Sequence, residues 1–185
     1  VAVMAKGGTG AVVEVNSQTD FVSRNEEFQA MVSKIVELAL GAGGDVAKLG
    51  NAAFGDGNTV TGKVSALSGK IGEKMELRRA AELSVSPGIV ASYVHNQVVP
   101  GLGKIGVLVA LKSSGDAGKL AALGRQIAMH VAAANPAALN ASQVDPALAE
   151  REKSIFADQA RASGKPENII AKMVEGRMRK FYEEV

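Results

Sequence analysis

Cysteine and tryptophan are both absent from the 185 residues. Without cysteine there are no disulfides, thiolate metal sites or cysteine nucleophiles, which suits a reducing compartment. Two histidines, His95 and His130, are too few for a histidine-rich metal centre. Aromatic residues make up 4% of the chain and leave little for base stacking. An excess of one charge is missing too. The 21 basic and 19 acidic residues leave a net +2, which sets up no field that would gather nucleic acid. No apolar run approaches the roughly 20 residues that span a bilayer. The opening Val1-Ala2-Val3-Met4 carries no charged-apolar-small leader and reads as the interior of a longer sequence.

What is present, 46% hydrophobic and 22% charged residues, is the composition of a soluble globular protein. The length allows one large domain or two small ones sharing a core. Val12 to Val15 reads as a short strand. A helix is expected from Asn25 to Leu40, because Phe28, Met31, Val32, Ile35, Val36 and Ala39 recur at helical spacing. Ser23 and Glu26 resemble a capping box, and Gly41 marks the stop. Residues 41–57 read as a Gly-rich connection with a weak helical turn at Val46 to Leu49. A shorter helix over Val60 to Ser68 and a strand over Glu73 to Leu83 follow, and Ser86-Pro87-Gly88 is a turn between subdomains.

Ile89 to Val94 and Ile105 to Leu111 are the clearest strands, and the short loop between them makes an antiparallel pair. The next helix carries Leu120, Leu123, Ile127, Ala128 and Val131 on one side and ends at Asn135-Pro136. Asp145-Pro146 caps another helix with Leu148, Ile155 and Phe156 on one face. After Ser163-Gly164-Lys165-Pro166, a last helix turns Ile169, Ile170, Met173, Val174, Met178 and Phe181 inward. Two amphipathic helices so closely joined form an antiparallel hairpin.

Several residue patterns invite a chemical reading and fail its structural requirement. Gly101-Leu102-Gly103-Lys104-Ile105-Gly106 matches a dinucleotide fingerprint in letters, but it lies between two strands, where no helix N-terminus would meet a pyrophosphate. His95 ends a strand with no acid or nucleophile paired to it, and reads first as a surface histidine. His130 reads as a satisfied, part-buried helix residue. Asp20, Glu26 and Glu27 are a helix N-terminal charge arrangement, and Arg177, Arg179 and Lys180 a solvated helix face. No catalytic, cofactor or metal residue is expected, and a binding protein is favoured over an enzyme.

Phe21 is the exception. It stands in a polar connection outside the stripe that claims Phe28, and neither neighbouring element's periodicity needs it. Either it folds back under its own loop, or it anchors in a partner's pocket with Asp20 beside it.

Glu14-Val15-Asn16-Ser17-Gln18-Thr19-Asp20-Phe21-Val22 closely resembles the signature of the elongation factor Ts family, exchange factors for elongation factor Tu. Further segments agree in order: Lys70 to Lys74, Ser92 to His95, Ile105 to Val109, Gln126 to Ala133, Ser163 to Pro166 and Lys172 to Met178. The resemblance covers nearly the whole chain except 41–57. It implies an α+β fold: two subdomains, each a small antiparallel sheet with helices, and a protruding helical hairpin or coiled coil. The expected boundaries are 1–86, 87–144 (the second subdomain incomplete) and 145–185.

The resemblance also implies guanine nucleotide exchange. Asp20 and Phe21 would be inserted near the switch region of elongation factor Tu, with Thr19, Val22, Ile71, Gly72 and His95 as further partner-binding residues. Both the GDP-bound and the nucleotide-free partner are implied, with no direct nucleic acid, membrane or cofactor, and self-association open. The implied location is the bacterial cytoplasm, or else a mitochondrial matrix. The alternative is a structural subunit of a ribosome or polymerase complex without exchange activity.

Overall fold

A computed structural model describes residues 1–185. The chain forms two compact units, Val1–Ala133 and Ala134–Val185. In the first, β1 (Ala2–Lys6), β2 (Thr9–Asn16) and β3 (Glu76–Ser84) make an antiparallel sheet in the order β1-β2-β3. β2 pairs Ala2 with Val13 on one side and Asn16 with Glu76 on the other. Alternation along β2 decides what each face does. Ala11, Val13 and Val15 enter a core with α1 (Glu26–Ala39), α2 (Val46–Asn51) and α3 (Val60–Ile71). Gly10 and Val12 face the opposite way, toward a second antiparallel sheet of β4 (Gly88–His95) and β5 (Ile105–Lys112). α4 (Ala117–Ala134) covers that ribbon at Gly124, where an added Cβ would lie 2.5 Å from the Ala91 Cβ. This is the expected α+β architecture with two small antiparallel sheets.

β1 went unread in the sequence. Five residues opening on alternating small and apolar side chains carry no turn signal ahead of them, and only pairing with β2 defines the strand. The α1 cap also differs from expectation. Asn25, not Ser23, accepts the Phe28 N–H at 3.0 Å, because the helix starts at Glu26 and only Asn25 stands three residues before an open amide. Ser23 instead lies in a 3₁₀ turn, Val22–Arg24. α2 runs to Asn51 and α3 to Ile71, each longer than the sequence signals suggest. α4 turns Gly124 and Ala128 inward, leaving Leu123 exposed. His130, two residues and about 200° round from Ala128, is exposed rather than part-buried.

In the second unit, α5 (Pro146–Arg161) and α6 (Glu167–Glu184) form the antiparallel hairpin. Asp145 caps α5 through the Ala147 N–H at 2.9 Å. Ala160, Ile170 and Phe181 are the buried residues of the two helices. Ile155 and Ile169 fall at the edges of their stripes and are exposed. Arg177 lies on the exposed helix face as expected, and its guanidinium also donates to Gln159 Oε1 and lies 5.1 Å from the Phe156 ring centre, crossing from one helix to the other. No helix is long and apolar enough to cross a membrane.

Candidate protein-docking site

One end of the first unit gathers most of the residues singled out in the sequence. β2 finishes there at Asn16, opposite the start of β3 at Glu76. The β4–β5 loop reaches the same end: Val3 N–H donates to the Gly101 carbonyl at 2.9 Å, and Gly103 N–H to Val1 at 3.0 Å. Strand direction therefore brings three connections, 17–25, 72–75 and 96–104, to one edge of the sheets. Leu102 packs into the same core as Val22 and Val15, which fixes the third connection to the first two. His95, at the end of β4, is exposed there, and the Tyr93 hydroxyl lies 3.1 Å from its Nδ1.

The 17–25 connection is short of regular structure but dense in hydrogen bonds. Ser17 Oγ donates to the Thr19 carbonyl at 3.1 Å and Ser23 Oγ to the Asp20 carbonyl at 2.6 Å. Arg24 N–H donates to Phe21 and Asn25 N–H to Val22, at 3.1 and 3.0 Å. Gln29 Nε2 ties the turn to α1 through the Ser23 carbonyl at 2.9 Å. Val22 is the apolar peg, only 3% exposed within the α1–sheet core. Phe21, its neighbour, is 76% exposed. The alternative in which Phe21 folds under its own loop is therefore excluded, because Val22 holds the inward position. Asp20 is exposed and its carboxylate takes part in none of the chain's ion pairs.

Ile71 and Gly72 lie beside this loop in the fold although about fifty residues later in sequence. Gly72 ends α3 with φ +81°, a left-handed conformation that favours glycine, and its N–H donates to the Ser68 carbonyl at 2.9 Å. The turn after it reaches across to the first connection. Both oxygens of Glu73 accept from Thr19, one from its N–H at 2.9 Å and one from Oγ1 at 2.6 Å. Gln18 Oε1 accepts the Lys74 N–H at 3.2 Å, and Lys70 pairs with Glu27 at 2.8 Å. The Thr19–Phe21 and Ile71–Gly72 segments thus form one stitched surface, whereas Val22, expected among the partner-binding residues, is taken up by the core. Glu73 and Gln18 belong to it and were missed as site residues. Both stand inside the motifs quoted above, but no local pattern says what they bond.

Chemically, this end offers an exposed aromatic ring beside an unpaired carboxylate. No three or more His, Asp or Glu residues converge as metal ligands anywhere in the chain. The glycine-rich match ends at Gly106 inside β5, where an added Cβ would lie 2.5 Å from Val3 Cγ2; its small size serves sheet packing. A projecting ring on a hydrogen-bonded loop can fill a hydrophobic pocket, with an unpaired carboxylate beside it to set orientation.

Comparison with known proteins agrees with the motifs. The family model described as Elongation factor TS matches residues 18–185. The protein named Elongation factor Ts from Rhodospirillum centenum is 59% identical over 186 residues, all of this chain and 61% of that protein. Those of Parvibaculum lavamentivorans and Maricaulis maris are 58% and 57% identical, again over 100% of this chain and 60% of their own length. The chain thus spans about three fifths of the length of the curated relatives it matches and belongs to the elongation factor Ts family.

Proposed function

We propose that this chain carries the exchange surface of a translation elongation factor and promotes GDP release from elongation factor Tu. The observation that carries the reading is Phe21, 76% exposed on a loop hydrogen-bonded on both sides of the ring. A large ring left in water on an ordered support has an entropic advantage, because little of the loop must be frozen on binding. In this reading Phe21 enters an apolar pocket of the partner's nucleotide-binding domain. Asp20 orients it, and Thr19, Ile71, Gly72 and His95 make the surrounding contacts. Val22 contributes from beneath, as the peg.

The exchange follows from linkage. A factor that binds the nucleotide-free partner more tightly than the GDP-bound one weakens GDP by the same ratio. Displacing the switch elements that hold the partner's Mg²⁺ removes the charge bridging the phosphates, and GDP leaves faster. The metal and nucleotide belong to the partner, and this chain supplies no bond-making step. In this reading residues 1–86 and 87–144 are the two core subdomains and 145–185 the protruding hairpin.

Release of fluorescent GDP from purified elongation factor Tu tests the proposal. Phe21→Ala should slow catalysed release at least about tenfold, since truncating a ring seated in a partner pocket costs about 2 kcal/mol or more. The melting temperature should stay nearly unchanged, because the largely exposed ring has little packing to lose in the free protein. Unchanged release in that variant would overturn the insertion role of Phe21, whereas binding of the parent chain with no acceleration of GDP release would identify a structural interaction subunit.

A further inference from the structure

We infer that Glu73 is a positioning residue that latches the Asp20–Phe21 loop in its presented conformation. The inference rests on the exchange reading above and names how that site is regulated by its own support. Glu73 is the one side chain that grips the loop from outside it at two points, the Thr19 N–H at 2.9 Å and Thr19 Oγ1 at 2.6 Å. A carboxylate accepting two donors in this forked way fixes direction as well as distance.

The grip is useful because Glu73 itself is held. Its carbonyl accepts from Ser68 Oγ at 2.7 Å, the preceding Gly72 N–H is bonded into the end of α3, and the following Lys74 N–H donates to Gln18 at 3.2 Å. The backbone on each side of the carboxylate is thereby tied to α3 and to the loop it grips. A continuous path runs from α3 through Ser68 and Glu73 to Thr19, two residues before the exposed ring. Other bonds of the loop, from Ser17 and Ser23, lie within the loop and give it internal shape. The Glu73 contact sets where that shape sits relative to Ile71 and Gly72. Each Glu73 oxygen accepts one Thr19 donor, and in this inference Glu73 acts on a partner through the loop that carries Phe21.

A latch of this kind raises the fraction of molecules ready to bind. If its loss lowers that fraction to about one in ten, apparent affinity falls about tenfold while the assembled complex stays as competent as before. The test is GDP release from elongation factor Tu at increasing concentrations of the full chain. Glu73→Ala should raise the half-saturating concentration about fivefold to tenfold with the saturated release rate within about twofold of the parent. Glu73→Gln should restore most of the affinity: its amide oxygen accepts the Thr19 N–H and its amide nitrogen donates to Oγ1. In the free protein, Glu73→Ala should speed hydrogen exchange of the Thr19 amide about tenfold, and Glu73→Gln should not. In a Phe21→Ala background, Glu73→Ala should add little.

Glu73→Gln as harmful as Glu73→Ala would overturn the latch, since a direct contact with a partner cation would then be at work. So would a lowered saturated rate at unchanged half-saturation, or a full Glu73→Ala effect in the Phe21→Ala background. If Phe21→Ala slows release and Glu73→Ala changes nothing, the latch alone fails. If Phe21→Ala itself changes nothing, the insertion role of Phe21 fails and takes the latch with it; if the parent chain does not accelerate release at all, the exchange reading fails.

Discussion

Phe21 and Val22 are adjacent and equally apolar in character, yet one lies in water and the other in the core. Their substitutions should part in the same way. Val22→Ala removes buried methyl groups from the junction of α1 and the sheet, which costs about 2 kcal/mol. The expected result is a melting temperature lowered by several degrees, measured by circular dichroism. Phe21→Ala should leave that temperature in place and act on the partner assay alone. Sequence could show that Phe21 was surplus to the helix stripe. It could not show which of the two neighbours turned inward, because the 3₁₀ element Val22–Arg24 is a single turn, too short for any period to show in the sequence.

Among the elements, α1 and α3 set the frame of the site, and the start of α1 is capped otherwise than its sequence suggests. With Asn25 as the cap, Asn25→Ala should cost about 1 kcal/mol and speed exchange of the Phe28 amide. Ser23→Ala should leave that amide protected, since its hydroxyl serves Asp20. The two variants compared by hydrogen exchange decide between the capping arrangements. A second element-scale case is the 53–59 connection beside α3. A hydrogen bond from the Lys63 ammonium holds the Asp56 carboxyl below the ordinary carboxylate range, and Lys63 also lies 5.4 Å from the Phe54 ring centre. A carboxyl lowered in the folded state adds stability that is present at neutral pH and lost as pH falls through its lowered value. Asp56→Asn should therefore flatten the acid side of a melting-temperature-against-pH curve and leave the alkaline side unchanged. The helix stripe of α1 was fully legible from spacing. Its cap was ambiguous because Ser23 and Asn25 are both competent cap residues, and only the turn geometry selects one.

For the molecule as a whole, the two units differ in how much they bury. The first has a continuous core from Ala2 and Val13 through Met31, Ile35, Leu49 and Val60. The helices of the second hold only Ala160, Ile170 and Phe181 buried. Native-state hydrogen exchange should accordingly find the slowest amides in β2 and α1, and faster exchange along α5 and α6. Phe181→Ala should loosen the hairpin amides while leaving β2 protection intact. Equal protection of both units, or loss of β2 protection in that variant, would contradict this division.

Sequence by itself determined what depends on near neighbours: the α1 stripe, the β4–β5 pair, the Asp145 cap and the ordered motifs that mark the family. Those follow from periods of two and 3.6 residues and from turn residues, which act over a few positions. Tertiary structure alone decided that β1 is a strand, that His130 faces solvent, that Arg177 bridges two helices, and that Glu73 reaches Thr19 across 54 positions of chain. Each of these depends on which distant segments strand pairing and helix packing bring within hydrogen-bond reach, a distance no local pattern encodes.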